Sequence, residues 1–128
     1  MDDIKIKIMP ASMGDCFLIS TMGDEKTNII IDMGYGETYR KFLKGDLIEI
    51  GKMNQSIDLM VITHIDSDHI VGGLSFLAEN NKSLNKININ EIWHNTLRHI
   101  SKCDIDNKLI AENDKKILMK MAPRPITN

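Results

Sequence analysis

The chain has 128 residues, 42% of them hydrophobic and 27% charged, the composition of one modest soluble domain. A net charge of −2 excludes nucleic-acid binding through bulk positive charge, though not a nucleic-acid substrate held at a local site. No apolar run approaches the ~20 residues of a membrane span, and the opening MDDIKIKIMP alternates charge with isoleucine instead of forming the apolar core of a signal peptide.

In chain order, residues 4–10 (IKIKIMP) alternate at period two and predict a strand with one buried face. ASMGD reads as a turn in which Asp15 makes a local hydrogen bond. CFLIST, at residues 16–21, is a second strand, and Gly23 and Asp24 mark a hairpin turn. In NIIIDMGYG, Ile29, Ile30 and Ile31 form a short apolar strand closed by Asp32, Gly34 and Gly36. Three strands on short turns predict a meander.

From Glu37 the period changes. Tyr39, Phe42 and Leu43 stand at helical spacing, with Gly45 as the helix end and a second short segment over residues 46–52. IDLMVITH, at residues 57–64, is apolar without alternation, as in a strand covered on both faces. Ile70, Leu74 and Leu77 stripe a helix over about residues 69–79. A polar loop follows, then a strand at residues 89–95 in which Trp93 is expected to pack in the core. Leu109, Ile110, Ile117 and Leu118 make the apolar face of a helix over residues 106–121, and the proline-bearing 122–128 reads as a tail or the start of a further segment. Strands followed by a strand–helix–strand unit predict an α/β layered domain over residues 1–121.

The chemistry concentrates in VITHIDSDHIVGG, which sets His64, Asp66, Asp68 and His69 at the carboxyl end of a strand, where open α/β sheets carry their sites. Imidazole nitrogen and carboxylate oxygen are the ligands a divalent ion such as zinc takes. Residues two apart in an extended segment point the same way, so His64 and Asp66 can grip one ion, with Asp68 and His69 facing a second position. Two ions so held would form a hydrolytic clamp. Gly72 and Gly73 allow close backbone approach, and the Thr63 hydroxyl can orient a ligand. An Asp-Ser-Asp run between strand and helix is also the ordinary signature of a helix N-cap. Four ligand-type residues together favour metal over capping.

The run His64-Ile65-Asp66-Ser67-Asp68-His69, with Thr63 before it and Gly72-Gly73 after it, resembles the His-x-His-x-Asp-His hallmark of the metallo-β-lactamase fold hydrolases. MPASMGDCFLIS looks like that family's opening strand pair with its Gly-Asp turn, and NIIIDMGYG like its Ile-Asp-x-Gly element. The resemblance covers residues 4–95 and implies the N-terminal half of an αββα sandwich, a β-meander followed by β-α-β. It implies two divalent ions, zinc or manganese: His64 and Asp66 on the first, Asp68 and His69 on the second, with Asp68 also the base toward water. Asp32 matches an acidic position beside the site and would orient a ligand. Asp66 stands where most members carry a second histidine. That variant is similar to the hydrolase domain of DNA-uptake competence channel proteins, which implies a phosphodiesterase or nuclease-like reaction and an oxygen-richer site suited to manganese. The family's remaining ligands lie well downstream, so the chain is expected to be a fragment or to complete its site through a homo-oligomer or a partner protein.

Elsewhere His94 ends a strand neighbouring the motif and is a candidate for substrate contact, against a capping or surface role. His99 reads as a surface residue. The two cysteines, Cys16 and Cys103, lack CxxC spacing and read as reduced thiols of a cytoplasmic protein, Cys16 buried and inert. Scattered methionines fill core gaps. Two function classes remain. One is a metal-dependent hydrolase acting on a small-molecule or nucleic-acid phosphodiester, with lactamase or thioesterase chemistry a lesser variant. The other is a non-catalytic half-fold serving as an interaction or regulatory module.

Overall fold

The computed structural model describes residues 3–94. The expected helix at 106–121, the tail, His99 and Cys103 lie outside these residues.

The described residues build one five-stranded sheet in the order β1-β2-β3-β4-β5. Strands β1 (Ile4–Ile8), β2 (Cys16–Thr21) and β3 (Asn28–Met33) form the antiparallel meander; β4 (Ile57–Ile62) and β5 (Ile89–His94) add in parallel. Parallel neighbours need crossovers. The first crossover is a continuous helical run made of α1 (Gly36–Thr38), a π-helical turn (Tyr39–Leu43) and α2 (Lys44–Lys52); the second is α3 (Ser67–Lys82). The α/β character and the meander-then-β-α-β order are as expected from the sequence.

Gly45 does not end a helix: helical backbone runs through it to Lys52. A glycine costs only about 1 kcal/mol in a helix interior. Here Leu43, Leu47 and Ile50, all buried, carry the same apolar face past it. α3 starts two residues earlier and ends three later than the stripe predicts, and Phe76 joins Ile70 and Leu74 in the core.

The helices cover one face of the sheet. On that face Leu18, Ile30, Met60 and Ile62 are buried. Lys7, which points to the same side from β1, bonds Asp46 of α2 at 2.7 Å. The opposite face has no such cover among the described residues. Pairing aligns Ile6 with Ile19, Ile19 with Ile29, Ile29 with Leu59, and Val61 with Trp93 along it. Two expectations fail for this reason. The β1 isoleucines do not form a buried face: Ile4, Ile6 and Ile8 are 66, 60 and 69% exposed. Trp93 is not a core residue but 56% exposed, its indole N–H donating to Glu91. Likewise β4 is covered on one side only, with Leu59 and Val61 half-buried.

One irregularity decides where the site forms. The β2–β3 register shifts so that Cys16 pairs with Met33 while Phe17 pairs with Ile31, leaving Asp32 as the extra residue of a bulge. Its φ is +52°, left-handed backbone that a residue with a Cβ adopts at a cost of about 1–2 kcal/mol. Bulges re-aim side chains. Here Asp32 and Met33 are both buried on the helix side.

Candidate metal centre

β4 delivers residues 63–66 to its carboxyl end, and α3 begins immediately after. Asp66 is the N-cap residue, with extended backbone at φ −68°, ψ 146°, yet its carboxylate makes no capping hydrogen bond. Its Oδ2 lies 3.7 Å from His64 Nε2 instead. Asp68 Oδ2 lies 3.5 Å from His69 Nε2. A run that existed to cap a helix would spend its first aspartate on the exposed N–H groups of the first turn. This one does not.

The two imidazoles are held from behind. Asp32 Oδ1 accepts from the Thr63 backbone N–H at 2.8 Å, and its Oδ2 accepts from the Thr63 hydroxyl at 2.5 Å. The same Oδ2 lies 3.0 Å from His69 Nδ1, and Thr63 Oγ1 lies 2.8 Å from His64 Nδ1. Proton assignment follows from these partners. A carboxylate only accepts, so His69 Nδ1 is the protonated nitrogen facing it. The Thr63 hydroxyl donates to Asp32, so its oxygen accepts from a protonated His64 Nδ1. In the neutral imidazoles both Nε2 atoms then carry the lone pairs, one beside Asp66 and one beside Asp68. The rings stand with centroids 3.7 Å apart at 43°. One buried carboxylate thus sets the tautomer of two histidines, in the way that ligand histidines are oriented by a partner on the other ring nitrogen.

Burial grades across the site. Asp32 is 2% exposed and His69 is also buried, whereas His64, Asp66 and Asp68 are partly open to solvent. The Asp32 carboxylate is therefore enclosed, while Thr63 and the motif carboxylates reach solvent.

Ligand-type atoms of Asp32, His64 and His69 lie within 4.8 Å of one another. Asp32 would be a poor direct ligand in this arrangement. Its two oxygens already take three hydrogen bonds, and it is enclosed. Asp66 and Asp68 stay outside that tight trio, each set against one histidine. The donor chemistry nonetheless fits a divalent ion: two imidazole lone pairs and two carboxylates on an accessible rim.

His94 stands across from Ile62 in the parallel β4–β5 pairing, half-buried, one strand from the motif. Sequence reasoning missed how the β1–β2 turn reaches the motif: a Cβ on Gly14 would fall 1.7 Å from the Asp68 carbonyl oxygen. Nothing in the spacing of ASMGD signals that contact. Gly72 does make the expected close approach, its N–H donating to Gly34 carbonyl at 2.8 Å. A Cβ there would lie 2.0 Å from the Met33 carbonyl oxygen. A groove of about 940 Å³ lies between α2 and the α3–β5 connection, lined by residues such as Tyr39, Leu47, Phe76 and Ile87. It opens where β4 begins and includes none of the motif residues, so volume does not mark the chemistry here.

Compared with known families, the chain matches the Metallo-beta-lactamase superfamily over residues 9–99. It belongs to the metallo-β-lactamase superfamily. Neither a curated protein nor a solved structure matches it. The superfamily's members are, at a coarse level, metal-dependent hydrolases, and the match spans both the Asp32 strand and the His64–His69 motif. The described helices include none long and apolar enough to cross a membrane.

Proposed function

We propose that this superfamily member is a metal-dependent hydrolase of phosphodiester bonds, nuclease-like in class and cytoplasmic, with zinc or manganese as its ion. The observation that carries the reading is the network from Asp32 through Thr63 to both imidazoles. In the neutral rings it leaves His64 Nε2 and His69 Nε2 as lone-pair donors beside Asp66 and Asp68. His64 with Asp66, and Asp68 with His69, are the residues that would hold two ions. A divalent ion bound there supplies Lewis acidity toward a phosphoryl oxygen and lowers the pKa of water. Asp68, 30% exposed and 3.5 Å from His69, would take a proton from an attacking water, while Asp32 keeps His69 oriented. Asp32 and Thr63 hold the rings without touching substrate. Asp66 enriches the site in oxygen, which supports manganese and a phosphodiester over a lactam or thioester.

Elemental analysis of the chain purified without chelator tests this, wild type against Asp68→Ala, together with hydrolysis of bis-p-nitrophenyl phosphate. About two equivalents of metal and activity, both reduced in the variant, are expected. A metal-free, inactive wild type overturns the reading.

The sheet face left uncovered among the described residues favours a second reading, an interaction module whose Ile4, Ile6 and Ile8 side meets a second copy of the chain. Sedimentation velocity across a concentration series decides it: a monomer at every concentration sinks this version.

A further inference from the structure

Gly14 sits in the β1–β2 turn, 54 positions before Asp68, with φ +81°. The three atoms nearest a Cβ built there all belong to Asp68: the carbonyl oxygen at 1.7 Å, its carbon at 2.6 Å and the Asp68 Cβ at 2.9 Å. Real Cβ atoms do not approach backbone that closely, so residue 14 is restricted to glycine twice, by its left-handed φ and by contact. The contact falls on the first turn of α3, one residue before the His69 ring that Asp32 bonds. Met9 N–H donates to the Cys16 carbonyl at 2.9 Å, which ties the base of this turn to the sheet. The turn is thus anchored to the sheet at its base.

We propose that Gly14 is a positioning residue for the metal centre: the β1–β2 turn presses on the Asp68 backbone and so sets the Asp68 carboxylate against His69. The first turn of α3 is then clamped from two sides, by the Asp32 network behind His69 and by Gly14 on Asp68. The proposal rests on the metal-centre reading for its consequence and on the Gly14–Asp68 contact for its geometry. The two can fail separately.

The test compares Gly14→Ala with Gly45→Ala, where an added Cβ meets nothing within 4 Å. Zinc and manganese titrations are run on the full chain, with amide NMR spectra of the metal-free proteins and far-UV circular dichroism as a check on folding. Expected for Gly14→Ala are a folded chain, shifted Asp68 and His69 amides, and metal affinity reduced about tenfold or more, the scale seen when a ligand's support is removed. Gly45→Ala should bind metal as the wild type does. Unmoved Asp68 and His69 amides with unchanged affinity overturn the proposal. If wild type binds no metal, the hydrolase reading fails, and the metal-free amide shifts still decide the contact. If Gly14→Ala does not fold, zinc is added to wild type: a Gly14 amide that shifts together with Asp68 supports the clamp, and one that stays put overturns it.

Discussion

Asp32 and His69, 37 residues apart in the chain, meet through a 3.0 Å contact between a buried carboxylate oxygen and imidazole Nδ1. A bulge in β3 puts the carboxylate there, and the first turn of α3 brings the ring. Truncating Asp32 would leave the Thr63 N–H without its acceptor and strand the His69 Nδ1–H in a buried setting. Asp32→Ala should therefore lose about 1–3 kcal/mol in urea unfolding and about 10- to 100-fold in zinc affinity.

The left-handed backbone at Asp32 adds a finer expectation. Asp32→Gly loses the same hydrogen bonds but relieves the strain at φ +52°. It should unfold at higher urea than Asp32→Ala, by about 1 kcal/mol, while binding metal equally poorly. Equal stability of the two variants would show that the bulge stores no strain.

Asp66 gives the site its oxygen-rich character. Asp66→His should move metal preference from manganese toward zinc, since imidazole suits zinc and carboxylate suits manganese. Loading both proteins from an equimolar mixture and measuring bound metal checks the direction.

Acid stability has a legible contributor in Glu79. Hydrogen bonds from Lys44 and from the buried Tyr39 hydroxyl hold its carboxyl below the ordinary value of 4.5. A carboxylate with a depressed folded pKa stabilises the fold above its unfolded value and loses that contribution as pH falls through the folded one. Stability should therefore drop as pH falls below 4.5, and Glu79→Gln should flatten that limb. Because the Glu79 side chain is 43% exposed, screening keeps the difference small. Denaturant midpoints between pH 3 and 6 (about the ordinary carboxylate range) measure it.

Cys16 is enclosed, and burial, with Asp32 and Asp46 nearby, pushes its thiol up to about 12. Iodoacetamide at neutral pH should leave Cys16 unlabelled in the folded chain and label it after urea unfolding, as read by peptide mapping. Labelling at native rates would mean that the sheet–helix layer opens readily.

Much of this protein follows from local sequence. Period-two alternation, the apolar Ile29–Ile31 run and the Ile70 and Leu74 stripe mark strands and helix because side-chain direction repeats with backbone geometry. The His64–His69 run declares ligand chemistry because imidazoles and carboxylates crowd one short connection. Tertiary structure decided what those patterns leave open. Alternation in β1 says that one face is apolar, not that anything covers it, and the helices lie on the other side. A lone tryptophan is core or surface according to the same accident of layering. Ligand residues adjacent in sequence still need partners to fix their tautomers, and Asp32 and Gly14 reach them only once the sheet is built. Contacts across dozens of residues depend on register and bulge, which no local period encodes.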